Sequence, residues 1–298
     1  MDPLKELRGF DAGRQLALIK KLGGREVVDA ILRGEKDVDI KEAIRALFDR
    51  HGCRIPPKDF GFAFCDPDMK FHFIKSELVL DEPYGRHCEY FGDPGITLPN
   101  FQSRADELMD KLGKNKPIAN LANGVCLPII LGKLPKKFNY GKLLEQKFLA
   151  AVENAYIKQF PGRIFANHRK GELAGKVRIV HKSHERLIAR LKKGPEVALY
   201  FPNPLQGFSV LASREQMSDL PKEIYLCGGV DTCTAMAMYA HVLARDWHTP
   251  GLDMAALQWR SADYSLPFRA FDNDLYFGDG ASLAYAHNDY SAGLLFVG

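Results

Sequence analysis

The chain has 298 residues, 46% of them hydrophobic and 26% charged, with a formal net charge of +4, an ordinary globular balance with room for a substantial core or for two modest domains. Aromatic residues at 11% argue against extended disorder. The longest apolar run, Val125–Leu131, is far shorter than the roughly eighteen residues of a membrane span, so no membrane partner is expected.

Residues Met1–Arg8 carry no apolar signal core, and the six cysteines (Cys53, Cys65, Cys88, Cys126, Cys227 and Cys233) lack the dense spacing of a disulfide scaffold. Reduced thiols in a cytoplasmic protein are expected. Along the chain, Leu16, Leu18, Ile19 and Leu22 form a helical stripe that Gly23-Gly24 stops. Val27, Val28, Ile31 and Leu32 repeat it before Gly34. Ile44, Leu47 and Phe48 predict a third helix over 40–50, and Pro56-Pro57 mark a boundary. The expected organisation is an N-terminal helical segment over 1–56 and an α+β body over 57–298.

Within that N-terminal segment, the LGG-REVVDAI-LRGE pattern from Leu22 to Glu35 resembles a short helical module of uncharacterised bacterial proteins. The resemblance covers about fifty of the 298 residues. It implies a recurring helical module and brings no activity or site residue.

Alternating phenylalanines at 60, 62 and 64, and at 71 and 73, predict short strands. Helices are expected over 103–112, 140–160, 183–193 and 231–245. Strands are expected over 176–181, 197–201, 208–211, 224–227, 256–260, 264–271, 275–277 and 293–297. The segment 118–131 reads as helix or buried strand, and Asp272-Asn273-Asp274 as a hairpin turn. Together these give an α+β fold: an N-terminal helical segment, then a mixed, partly antiparallel sheet with packed helices.

The strongest compositional signal lies in Arg163–Lys193, where ten Lys or Arg face two Glu, a local +8 in 31 residues. Lys182, Arg186, Arg190 and Lys193 are spaced four, four and three, which sets them in one stripe on a helix. Arg169 and Lys170 precede them on a loop. A stripe of this kind suits a phosphate backbone, whose neutralisation releases counterions, and Phe165 and His168 nearby could stack on bases. Against that, Asp253–Gly298 holds six Asp and two Arg, a −4 tail able to compensate the basic segment internally.

A second constellation is Ile224–Thr234, a strand running into Gly228-Gly229 and then a helix. Free amides around Gly228, Gly229, Asp231 and Thr232 would make an anion site, with Cys233 in the first helical turn as a candidate nucleophile. Asp231 sets negative charge where the anion would sit, which favours a capping role. His51, Cys53, Cys65 and His72, followed by His87 and Cys88, supply enough donors within 38 residues for zinc. Their spacing matches no zinc knuckle, so no metal is expected.

No Walker loop, G-x-G-x-x-G, G-x-S-x-G or H-E-x-x-H is present, no cofactor is expected, and the sequence leaves open whether the protein is an enzyme. The leading expectation is a non-catalytic binding protein that contacts a phosphate-rich partner, nucleic acid or a phosphorylated ligand. The alternatives are an enzyme or small-molecule binder with its site at Gly228–Cys233, and a structural or protein-interaction role seen as an oligomer.

Overall fold

Gly23 and Gly24 both adopt positive φ, 101° and 98°, and so separate two short helices, α1 (Ala12–Lys21) and α2 (Arg25–Leu32). A computed structural model describes residues 11–39, 45–75, 79–260, 264–278 and 282–298. The chain divides into two compact units, residues 1–44 and 45–298. In the first, Asp11 caps α1 by accepting the Arg14 N–H at 2.8 Å. Ala30 is the one buried residue among those described there, and Leu16, Leu18 and Leu32 are exposed.

Of the helix expected over 40–50, residues 40–44 lie outside the described residues, and 45–50 are not helical. Phe48 is fully buried and bridges Arg54 in antiparallel fashion. The Leu47 N–H donates to Pro117 O at 2.8 Å, and the Arg54 N–H to Pro204 O at 2.8 Å. These long-range bonds tie residues 45–56 into the second unit, so the division falls before Pro56-Pro57.

The second unit is α+β. One sheet has the order β1 (Leu127–Leu131), β4 (Glu196–Phe201), β11 (Leu294–Phe296), β5 (Ile224–Leu226), all antiparallel. The other runs β10 (Tyr290–Ala292), β6 (Gly251–Asp253), β8 (Pro267–Phe271), β9 (Asp274–Phe277), β2 (Phe165–Asn167), with parallel outer pairs and antiparallel inner ones. β3 (Val177–Ile179) and β7 (Leu257–Trp259) form a separate antiparallel ribbon. β8 and β9 are joined through Asp272 and Asn273, both at positive φ (47° and 68°), the conformation of a two-residue type I′ hairpin.

Helices α3 (Asp81–Phe91) and α4 (Leu98–Lys114) precede β1. α5 (Tyr140–Leu143) continues through a π-helical turn, Leu144–Leu149, into α6 (Ala150–Gln159). α7 (Lys182–Leu191) carries the basic stripe, and α8 (Val210–Gln216) is capped by Ser209. α9 (Gly229–Met238) is buried at all ten positions. Its small residues let α3, α6 and β1 pack closely around it. The helix expected to reach Arg245 breaks at Tyr239, whose hydroxyl donates to Pro128 O at 2.6 Å, and resumes as α10 (Ala240–Leu243).

The expected strands at 60–64 and 71–73 are absent. Phe60, Phe62, Phe64 and Phe208 form a ring cluster instead, with Phe64 and Phe208 stacked at 5.7 Å. The strand expected at 208–211 reduces to a single bridge between Phe208 and Phe64 before α8 begins. Among the described residues, no helix is long and apolar enough to cross a membrane.

Gly293 alone separates β10 from β11, so the chain passes from one sheet to the other at that residue. A Cβ there would stand 2.8 Å from the buried Tyr200 hydroxyl. Gly293→Ala is therefore expected to lower unfolding stability in urea by about 2–4 kcal/mol. Gly194→Ala, where a Cβ meets open space, should stay within about 0.5 kcal/mol. Equal effects would remove the steric explanation.

Candidate functional site

At the start of α9 four backbone donors, those of Gly228, Gly229, Val230 and Thr232, already have side-chain partners. The Gly228 N–H donates to Asp231 Oδ1 at 2.9 Å and the Thr232 N–H to the same oxygen at 3.2 Å. The Gly229 and Val230 N–H groups converge on the Tyr140 hydroxyl oxygen at 3.1 and 3.3 Å. The expected anion site at Gly228, Gly229, Asp231 and Thr232 is therefore filled by the chain's own side chains, and all four residues are buried. Asp231 is the cap.

Because Tyr140 Oη accepts two amides, its own proton is left for His184 Nε2 at 2.8 Å. The imidazole then carries its hydrogen on Nδ1, which faces Asp231 Oδ2 at 3.7 Å. Both of those atoms lack a hydrogen-bond partner, as do the buried Tyr200 Oη and Thr232 Oγ1. The order Asp231–His184–Tyr140 has the look of a proton relay, yet His184 and Asp231 have no exposed surface. Burial pushes the His184 pKa down against the opposing charge of Asp231. A buried polar network of this kind rigidifies the elements that meet in it.

Cys233, the candidate nucleophile, lies in the same buried surroundings. Its thiol is fully buried, and burial reinforced by the Asp231 carboxylate raises its pKa well above the ordinary value. The dipole argument for a thiolate in the first helical turn loses to desolvation. Cys227, one residue before the glycine pair, is raised by the same causes.

The four zinc candidates do meet. His51, Cys53, Cys65 and His72 all line one cavity of about 480 Å³. Among the described residues, however, no group of three or more His, Cys, Asp or Glu side chains is arranged to hold a metal ion. Burial, with Asp49 nearby, pushes the Cys53 thiol up to about 11. Phe64, Phe71 and Phe208 supply much of the wall, so the donors share a cavity and no coordination centre.

The basic segment separates by residue type. Arg169 stacks on Trp259 at 4.3 Å. Arg186 lies over Tyr225 at 5.2 Å and donates to Lys222 O at 3.1 Å. Arg190 makes a two-pronged pair with Glu196 at 2.9 and 3.0 Å and reaches Gly298 O at 3.3 Å. Lys170, Lys182 and Lys193 remain exposed. His168, considered for base stacking, is already stacked on Tyr276 at 5.6 Å and 7°. Among the described residues no aspartate of the acidic tail forms an ion pair with α7: Asp289 pairs with Arg269, and Asp274 accepts the Ile164 N–H.

A cationic surface that the charge count did not isolate lies at the far end of α7. The loop after β1 carries Lys133, Lys136 and Lys137. It is laid against α7 by the Leu134 N–H to Leu191 O bond at 2.9 Å and by Lys192 Nζ over the Phe138 ring at 5.3 Å. Lys147, on the π-helical turn, lines a cavity together with Lys133, Leu134 and Pro195. Among the described residues, Lys133, Lys136, Lys137, Lys147, Lys192 and Lys193 make no ion pair. The K-x-x-K-K spacing at 133–137 was the one available signal, and its contact with α7 is a tertiary fact.

No family model, curated protein or solved structure matches this chain.

The buried imidazoles set the acid response. Burial, with Lys147 nearby, pushes His87 down to about 4, and burial with Arg214 and Arg186 does the same to His181. The buried Asp253 carboxyl moves the other way, up to about 6, through desolvation. The two histidines are neutral in the fold and take up protons only on unfolding, so their contribution is full above pH 6.5 and falls as pH drops toward 4. Asp253 contributes oppositely between 3.8 and 6, leaving a net uptake of about one proton on unfolding near pH 5 from these three groups. The urea midpoint should therefore fall between about pH 7 and about pH 5, and His87→Phe should flatten the dependence. A midpoint that rises on acidification would contradict the assignment.

Proposed function

We propose that the protein binds a phosphate-rich partner through the lysine surface formed by the 132–138 loop, the C-terminal end of α7 and Lys147. One observation carries this reading: six lysines lie on these adjoining elements, and among the described residues none of them forms an ion pair with a carboxylate. Lysine is a compact, strongly hydrated charge on a flexible stem. It suits contact with a chain of phosphates that has no fixed geometry. The C-terminal end of a helix also favours cations, so Lys192 and Lys193 stand there without strain on α7.

The expectation that named Lys182, Arg186, Arg190 and Lys193 is thus narrowed and moved. Lys193 stays in the surface, Lys182 lies at the opposite end of the helix, and the two arginines hold neighbouring structure. Six free thiols among the described residues support a reducing compartment such as the cytoplasm for this binding protein.

The test is fluorescence anisotropy with a labelled single-stranded oligonucleotide across a salt series. Six neutralised phosphates should give a log–log slope of about −4. Changing Lys136, Lys192 and Lys193 together to Glu should lower affinity at least about tenfold and roughly halve the slope. Lys182→Glu should do much less. Binding that ignores salt, or no binding at low salt, would sink the proposal.

A further inference from the structure

Within that surface one cavity has the features of a discrete site. It measures about 330 Å³, near the low end of the roughly 300–1,000 Å³ of small-ligand pockets. Lys133 enters it from the end of β1 and Lys147 from the π-helical turn, while His87 comes from α3 and Thr234 from α9. The π turn is a rare helical irregularity that recurs at functional sites, and here it carries both Lys147 and Phe148 onto the cavity wall. An aromatic base runs beneath, with the His87 and Phe91 rings at 5.2 Å and Phe91 and Phe148 at 5.5 Å.

Two observations point to a ligand. First, His87 is only 2% exposed, and its Nδ1 has no hydrogen-bond partner, which is an expensive condition for a buried polar atom unless something completes it. Second, the charge is net positive. Lys133 and Lys147 have no ion-pair partner among the described residues, and they outnumber the one acid on the wall, Asp93, whose Oδ1 accepts the Gly95 N–H at 2.8 Å. Two ammonium groups and an imidazole converging on a pocket with an apolar base make a seat for one compact oxyanion attached to a small organic body.

We propose that this cavity binds a single phosphomonoester group. The inference rests on the polyanion reading only in sharing Lys133 and Lys147 with that surface. Two sources can supply the phosphate, a small phosphorylated metabolite or the terminal phosphate of a nucleic acid strand, and the cavity chemistry is the same for both.

The experiment is isothermal titration of the full chain with inorganic phosphate and with glucose 6-phosphate. In parallel, anisotropy compares 5′-phosphorylated and 5′-hydroxyl forms of one oligonucleotide. The expected result is saturable one-to-one binding of glucose 6-phosphate, competed by inorganic phosphate and weakened at least about tenfold in Lys133→Gln/Lys147→Gln. Both lysines are exposed, so this variant should keep its circular dichroism and melting temperature. His87→Phe tests the buried partner separately.

Preference for the 5′-phosphorylated strand assigns the site to nucleic acid ends, and glucose 6-phosphate binding without that preference assigns it to small metabolites; either supports the seat. Phosphate binding with no oligonucleotide affinity would leave the seat standing and overturn the polyanion surface. No saturation by about 10 mM of either phosphate probe, or saturation untouched by the double lysine change, would overturn the seat. Oligonucleotide binding with no end preference, together with no binding of glucose 6-phosphate, would also overturn it while leaving the surface intact.

Discussion

The fold turns on the buried contact among Tyr140, His184 and Asp231 at the head of α9. Three helices meet there. α5 brings the phenol, α7 the imidazole, and α9 its first amides and its capping carboxylate. The glycines around it leave no slack: a Cβ at Gly228 would stand 2.6 Å from the His184 ring, and one at Gly141 would overlap the Leu173 carbonyl. Each partner is buried, so removing one strands the others without solvent, and a buried unsatisfied group costs about 1–3 kcal/mol. The same contact orients three elements that supply the lysine surface and its cavity. α7 delivers Lys192 and Lys193, α5 continues into the turn that holds Lys147, and α9 presents Thr234.

Arginine and lysine divide the electrostatic work. Four of the five arginines in 163–193 have internal tasks, on Phe160, Trp259, Tyr225 and Glu196 respectively. Their flat guanidinium groups stack on rings and fork onto carboxylates, which lysine does poorly. The lysines near the end of α7 make no ion pair among the described residues: Lys193 is exposed, and half-buried Lys192 lies over the Phe138 ring. A charge count treats the two alike, and so it locates the basic region without telling which residues are available.

Much of the architecture was legible in the sequence because the periodic signals were long. The stripe of Leu187, Ile188 and Leu191 marked α7, and the unbroken apolar run at 197–201 marked β4. The hairpin at Asp272 and Asn273 followed from turn chemistry. Strands of three residues, such as β2, β6 and β10, offer no period to read. The alternating phenylalanines at 60–64 imitated a strand because a surface ring cluster needs the same spacing. The candidate site was half legible. The cap role of Asp231 and the charge bias near α7 were visible, while the contribution of Lys133–Lys137 was not. Their loop joins α7 through a backbone bond between Leu134 and Leu191, which leaves no trace in local pattern.

If the lysine surface is where the partner sits, hydrogen–deuterium exchange of the full chain with and without a single-stranded oligonucleotide at low salt should locate it. Protection is expected at residues 132–138, 145–149 and 190–195, with residues 51–75 around the larger cavity unchanged. Protection confined to 51–75, or to the first turn of α7, would contradict the account.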